Sequence, residues 1–194
     1  MRIWDLKAFV YHGARRLPGI RWILDAEIRN LRSLIGRVPD FPEPAADAGT
    51  GAGSTLCIFP ESVRLVCMDR SVPMLVRAMR RRPVQAVAGD LRRLPFRKNG
   101  LGFLSAVGVC EYLPEPLDFP FEAARVLMPG AVLLVTVPRP GIWTLPRNLL
   151  GHRLHTVRQD AWEKVLAEAG FEILGKEKSL LQLQYLAQKS ERRR

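Results

Sequence analysis

Asp47, Asp69 and Asp90 each close a short apolar run, in the stretches AAD, VRLVCMD and VQAVAGD. Directly after the first, Gly49, Gly51 and Gly53 alternate with Thr50 and Ala52. An ionised carboxylate only accepts hydrogen bonds, and its two oxygens can grip a pair of hydroxyls or face a cationic centre. A glycine-rich backbone lets a ligand come close, because no Cβ holds it off. If the three runs are parallel strands, the acids and the glycines share the carboxyl edge of one sheet, where such folds bind ligands. One strand-end acid is commonly a helix cap. Three in register, one of them beside a GxGxG pattern, point to a site.

The spacing separates the chemistries that use such an edge. A phosphate-gripping loop needs GxxxxGK[ST], and no lysine follows these glycines. A dinucleotide site reads GxGxxG, and Ser54 stands at its third glycine position, although Asp69 lies about 20 residues on, where that pattern places its ribose acid. A nicotinamide or flavin cofactor therefore stays open as an alternative. Asp47 occupies the place of a pyrophosphate and would repel it, so a phosphate-free cofactor with a cationic centre suits the acid better. Acid–base candidates follow the fourth apolar run, at Glu111 and Tyr112, and precede the last helix, at His152 and His155 in GHRLHTVRQ. Trp4 and Trp143 could line an apolar acceptor pocket. No metal site is predicted: Cys57, Cys67 and Cys110 lie in apolar runs without a CxxC pair.

The elements that must position these residues alternate. A short strand running into the glycine turn is expected in AADAGTGAGS, further strands over 63–69, 84–90, 101–109 and 131–138, and FEILGKEKSL and LQLQYLAQ would pair as the last two. Helices are expected over 71–82, 117–128 and 158–170, with Ser71 as N-cap, Pro129-Gly130 as a stop and Gly170 as C-terminal cap. Pro60 cuts short any helix after the glycines. Ahead of the Pro-rich linker VPDFPEP, residues Ile20, Ile23, Leu24, Ile28, Leu31, Leu34 and Ile35 recur at helical spacing, and Pro18-Gly19 separates them from a shorter helix over 3–15. The expected fold is α/β: a Rossmann-like, seven-stranded, mostly parallel sheet with helices on both faces and an N-terminal helical cap. The organisation is a cap over 1–40 and a ligand-binding domain over 41–194. The apolar face of the cap is expected to cover the mouth of the sheet as a lid. Its opposite face, with Arg21, Arg29 and Arg32, could rest on an anionic membrane.

DAGTGAG, MDRS, GDLRRLPF and EYLPEP…FEAARVLMPGAVLLVTVP, in this order, resemble the class I S-adenosylmethionine-dependent methyltransferases, over roughly residues 45–175. The resemblance is nearest to the small enzymes acting on metabolites, quinones or lipids, and it implies S-adenosyl-L-methionine as cofactor. It implies that Asp47 sets the glycine loop and faces the methionine ammonium, and that Gly49, Thr50, Gly51 and Gly53 pass beneath the cofactor. Asp69 would accept both ribose hydroxyls, with Arg70 and Ser71 flanking the adenine. Asp90 would take the adenine amino group, with Leu91 stacked nearby. Ala106, Val107 and Val109 would line the methionine and the sulfonium. The chain departs from the pattern where Pro42, Glu43 and Pro44 precede the first strand, and where Leu101-Gly102 stands in place of an acid.

Three functions fit these residues: methyl transfer to a small, apolar or lipid-like acceptor, methyl transfer to RNA or protein, and cofactor binding without chemistry. No N-P-P-[YF] tetrapeptide follows the fourth strand, where GVCEYL stands, which argues against an adenine or glutamine nitrogen as acceptor. A net charge of +11 suits an anionic partner, but the basic residues are scattered and few aromatics interleave them, so a lipid surface fits better than nucleic acid. Unpaired cysteines and the absence of a secretory pattern place the chain in the cytoplasm. The oligomeric state is open.

Overall fold

The computed structural model describes residues 18–139 and 154–191, with the side chains of 18–20 left aside. The helix expected over 3–15, with Trp4, lies outside the described residues, as do Trp143 and His152. The described elements run α1 (Pro18–Ile35), β1 (Ala45–Ala48), a 3-10 turn (Leu56–Ile58), β2 (Leu65–Asp69), α2 (Val72–Arg81), β3 (Gln85–Ala88) and β4 (Leu101–Ala106). Two 3-10 turns (Cys110–Tyr112 and Pro116–Asp118) lead to α3 (Phe119–Val126), β5 (Leu127–Pro138), α4 (Gln159–Glu168), β6 (Phe171–Lys178) and β7 (Gln182–Lys189).

The seven strands form one sheet in the order β3-β2-β1-β4-β5-β7-β6. β1 to β5 pair in parallel, and β7 runs antiparallel to both β5 and β6. The strand order reverses between β1 and β4, so a crevice opens beyond their carboxyl ends. Every residue of β4 is buried, as a strand covered on both faces requires. Alternation sorts the core into two layers. Ala45, Leu65, Phe103, Leu134 and Leu186 face α1, α2 and the first 3-10 turn, while Ala46, Met68, Leu104, Leu133 and Tyr185 face α3 and α4.

One expectation meets a different structure. Pro129-Gly130 does not follow a helix: α3 ends at Val126 and β5 already begins at Leu127. Leu101 pairs with Leu127 and Phe103 with Val132, so β5 carries extra residues at this point, and Pro129 and Gly130 sit in that bulge. The C-terminal half of the N-terminal helix packs on the sheet. Leu31, Leu34 and Ile35 are buried against Ala45, Phe103, Val132 and Leu186, on a face of the sheet. Arg37 pairs with Glu177 at 3.3 Å, and Arg32 donates to the Cys57 carbonyl at 3.2 Å, which ties this end of the helix to β6 and to the turn after the glycines. The short helix after β1 leaves that face uncovered, and α1 fills it.

The proline-rich segment before β1 has a packing reason. A Cβ on Gly102 would lie 2.9 Å from the Glu43 carbonyl oxygen and 3.0 Å from the Pro42 backbone, and the Gly102 and Phe103 amides both donate to the Pro44 carbonyl. Leu101-Gly102 therefore takes the place of an acid because the backbone of 42–44 crosses there.

Candidate active site

Asp47 sits in β1 with Cys67 of β2 on one side and Ser105 of β4 on the other. Its side chain is wholly buried beneath the glycine turn. The Ser105 hydroxyl donates to Oδ1 at 2.6 Å and the Thr50 hydroxyl to Oδ2 at 2.7 Å. Burial pushes its carboxyl up to about 6, against the pull of hydrogen bonds from Ser105, Thr50 and Thr55. The charge of nearby Asp69 adds to the rise. The same burial, with Asp47 alongside, pushes the Cys67 thiol up to about 11. Asp47 thus anchors the turn from below and lends it negative potential, with both oxygens already engaged.

The turn itself is left-handed at Gly49, Gly51 and Gly53, with φ of +75°, +55° and +76°. At Gly49 a Cβ would also meet Val109 Cγ2 at 2.4 Å, so the turn and the loop after β4 touch backbone to side chain. At Gly51 and Gly108 a Cβ would meet nothing within 4 Å: open space lies above the turn on one side and above the β4 loop on the other.

Asp69 stands at the rim of that space, half-buried. Gly51 N–H donates to Oδ2 and Ser71 N–H to Oδ1, both at 2.8 Å. The carboxylate ties the glycine turn to the start of α2, and each oxygen keeps acceptor capacity toward the open side. Ser71 holds the N-cap position, but its side chain makes no capping bond. The group at the end of β3 is arranged differently. Arg92 grips Asp90 with Nε at 3.1 Å and Nη2 at 2.7 Å, Arg70 Nε lies 3.7 Å away, and these cations hold the Asp90 carboxyl down at about 2. Leu91 turns into the core beside Leu94, because the tight turn at 90–93 directs it inward. That placement leaves little of its side chain for stacking.

Ala106 is buried, while Val107 and Val109 are half-buried in the loop after β4. Three groups missed in the sequence shape the site: Ser105 on Asp47, Arg92 on Asp90, and Thr136, whose hydroxyl accepts from Gly108 N–H at 2.8 Å. Each partner but Arg92 comes from another strand, so only register reveals it. Glu111 and Tyr112 form the 3-10 turn that follows, with Glu111 buried and Tyr112 half-buried. The His155 amide donates to the Glu111 carbonyl at 2.8 Å, which brings the segment before α4 onto this turn. Among the described residues no group of three or more His, Cys, Asp or Glu is placed to hold a metal ion.

A doubly wound sheet with acids at its carboxyl edge and a bare turn at the strand reversal has the place where such folds bind ligands. The family described as Methyltransferase domain matches residues 46–135, which span β1 to β5 and all of these acids. The chain is 34% identical over 121 residues to the trans-aconitate 2-methyltransferase of Azoarcus sp. (strain BH72), covering 59% of this chain and 47% of that protein. It is 29% identical over 168 residues to a Mycolicibacterium smegmatis protein named "Probable S-adenosylmethionine-dependent methyltransferase", covering 83% of this chain and 65% of that one. The chain thus spans about half to two thirds of these two relatives. The crystal structure of magnesium protoporphyrin IX methyltransferase from Synechocystis PCC 6803, with bound S-adenosylhomocysteine, superposes with a TM-score of 0.70 at 16% identity, over 89% of this chain and 88% of that one. These matches support a class I S-adenosylmethionine-dependent methyltransferase.

That family's cofactor can be tested against the residues present. It carries two adjacent ribose hydroxyls, a cationic sulfonium and no phosphate. Asp69 offers two rim oxygens, Asp47 supplies negative potential, and no lysine or arginine lies in the turn. The donor set fits.

Proposed function

We propose that this chain transfers a methyl group from S-adenosylmethionine to a small-molecule acceptor, with Asp69 holding the ribose. The observation that carries the reading is the Asp69 carboxylate, clamped between Gly51 N–H and Ser71 N–H at the rim of a turn with open space above it. When bound, the cofactor supplies an electrophilic methyl on a sulfonium. The protein's part is to position the acceptor in line and to exclude water. Gly49, Gly51 and Gly53 let the backbone pass close. Val107 and Val109 give the reacting region an apolar lining, and the Thr136 hydroxyl fixes the loop that carries them. Arg70 and Ser71 flank the adenine end in this reading.

A general base is needed only where the acceptor carries a proton. Glu111, Tyr112 and His155 are the candidates for it in this reading. The relatives named for small acceptors support a small molecule over RNA or protein. Cytoplasmic location belongs to the same reading and is supported by three cysteines that are unpaired. No described helix is long and apolar enough to cross a membrane. The division into a cap over 1–40 and a cofactor domain over 41–194 is proposed on functional grounds, since α1 shares the core of the sheet.

Calorimetric titration with S-adenosylhomocysteine tests the proposal. Saturable binding in the micromolar range, about 8 kcal/mol, is expected. Binding of NADH or FAD in its place would move the chain to the dinucleotide class, and no binding of either would leave it without a cofactor role.

A further inference from the structure

α2 differs from every other described helix in what it shows to solvent. Its sequence, VPMLVRAMRR, contains no acid. Leu75 and Ala78 fill the core, at 4% and 0% exposure. Val72, Val76 and Met79 do not: they are 57%, 40% and 44% exposed. At 3.6 residues per turn these three fall within about 60° of arc on one stripe. Arg80, Arg77 and Arg81 follow around the same helix over about the next 140°, all exposed. Among the described residues, none of these three arginines has an ion pair or a side-chain hydrogen bond. Arg82, one residue on, makes the contrast: its guanidinium donates to the carbonyls of Phe59, Pro60, Glu61 and Val63.

Of the arginines placed on α1 for a membrane role, two are engaged and Arg29 is exposed. Arg21 pairs with Asp25 at 3.8 Å, and Arg32 is tied to the Cys57 carbonyl. Three exposed apolar residues and three such arginines coincide on α2, against Trp22 and Arg29 alone among the described residues of α1.

We propose that α2 docks this domain on an anionic lipid surface, with Val72, Val76 and Met79 entering the headgroup–acyl boundary and Arg77, Arg80 and Arg81 meeting acidic headgroups. A surface helix with an apolar stripe beside a basic one is built for that plane. Charge alone would serve a nucleic acid equally well. The stripe decides against it, because aliphatic side chains neither stack on bases nor bond to phosphates, and no aromatic residue lies on α2. The position of the helix gives the docking a consequence. Val72 follows Ser71, whose amide is bound by Asp69, so the face begins at the rim of the cofactor crevice. An amphiphilic acceptor held in the lipid surface lies next to that rim. The docking stands on the surface of α2 alone and does not depend on methyl transfer; only the nature of the acceptor does.

The test is sedimentation of the full chain with vesicles of phosphatidylcholine mixed with phosphatidylglycerol, against pure phosphatidylcholine. Two variants accompany it: Val76→Glu with Met79→Glu, and Arg77→Ala with Arg80→Ala and Arg81→Ala. S-adenosylhomocysteine binding is measured on all three proteins as a check that each is folded with its site intact. The expected result is binding to mixed vesicles only, abolished in the first variant and weakened on the order of a hundredfold in the second, with cofactor affinity unchanged. Three results would each overturn the proposal: no sedimentation with mixed vesicles, equal binding by either variant, or displacement of the protein from vesicles by a stoichiometric amount of RNA duplex. Loss of cofactor binding in all three proteins, with vesicle binding retained, would sink the methyltransferase reading and leave the docking standing.

Discussion

Asp47 and Asp90 are the same residue at the same edge of one sheet, and their surroundings drive them in opposite directions. Asp47 lies under the glycine turn, bonded to two neutral hydroxyls, and burial lifts its carboxyl to about 6. Asp90 lies near solvent in the fork of Arg92, which holds its carboxyl at about 2. The first stores a charge that a cationic ligand can relieve. The second has already spent its charge on the protein's own cation. Position along a strand places an acid at a site, but the partners delivered by neighbouring strands and turns decide what it can do there. Asp69 stands between the two. It is half-buried, it is bonded to backbone amides, and among the described residues no cation claims it.

The largest expected effect tests the buried end of this comparison. The folded protein holds the Asp47 proton more tightly than the unfolded chain, because its carboxyl is raised from 3.8 to about 6. The corresponding stability is fully present below pH 4 and is lost as pH rises to about 6, a fall of roughly 3 kcal/mol. Urea denaturation of the native protein and of Asp47→Asn across that window isolates it. The native protein loses stability relative to the variant as pH rises, and the difference levels off above about 6. A cationic ligand favours the ionised form, so affinity for S-adenosylmethionine should climb over the same interval. A flat difference curve would mean that Asp47 is not the proton-holding group.

Asp69→Ala comes next. It removes a carboxylate that receives two amides and, in the proposed function, two ribose hydroxyls. Cofactor affinity should fall by about 2 kcal/mol, roughly thirtyfold. The fold should persist, since the side chain has little part in either core layer. Calorimetry with S-adenosylhomocysteine, together with a thermal melt, separates the two. An affinity within threefold of the native protein's would move the ribose elsewhere.

The middle of the scale belongs to the loop that faces Asp47 across the crevice. Thr136→Val keeps the shape of the side chain but leaves the Gly108 N–H without its acceptor, at a cost of about 1 kcal/mol. Hydrogen exchange at the Gly108 amide should quicken several-fold while amides of β5 stay protected. Unchanged exchange there would show that Thr136 does not hold the loop.

Much of this molecule could be read from one sequence because its strands are strongly apolar and their ends are marked. The runs LVCMD and LGFLSA, the glycine turn and the three acids predict the parallel sheet and the edge that binds. What stayed hidden depends on pairing between distant segments. Ser105 reaches Asp47 only through the β1–β4 register, across 58 positions in sequence. Pro129 and Gly130 look like a helix stop, and they lie in a strand because the bulge against Leu101–Phe103 accommodates them. The apolar face of the N-terminal helix announces that it is buried, but not where. Its place on the sheet face follows from the short turn after the glycines, which leaves room there. Arg92 is the exception. It stands two residues from Asp90, and its claim on that acid was within reach of the sequence.

The smallest expected effect is at Asp90, and it sharpens the comparison from the exposed end. The family pattern gives this carboxylate the adenine amino group. In the structure, Arg92 presents both a side-chain fork and its backbone amide to it. An exposed ion pair of this kind adds little to stability, so Asp90→Ala should shift the melting temperature by no more than about 2 °C. If the fork is kept when ligand binds, the affinity for S-adenosylhomocysteine should drop less than threefold, and Arg92→Ala should leave it equally unmoved. If Asp90 turns from Arg92 to the adenine, the two variants part. Asp90→Ala then loses affinity, while Arg92→Ala gains it, because the carboxylate no longer has to release its own arginine first. Measuring both by calorimetry decides which partner holds the acid. A tenfold loss in the first variant with a gain in the second would give Asp90 the role that the family pattern implies, and would make its bond to Arg92 the rest state of a ligand contact.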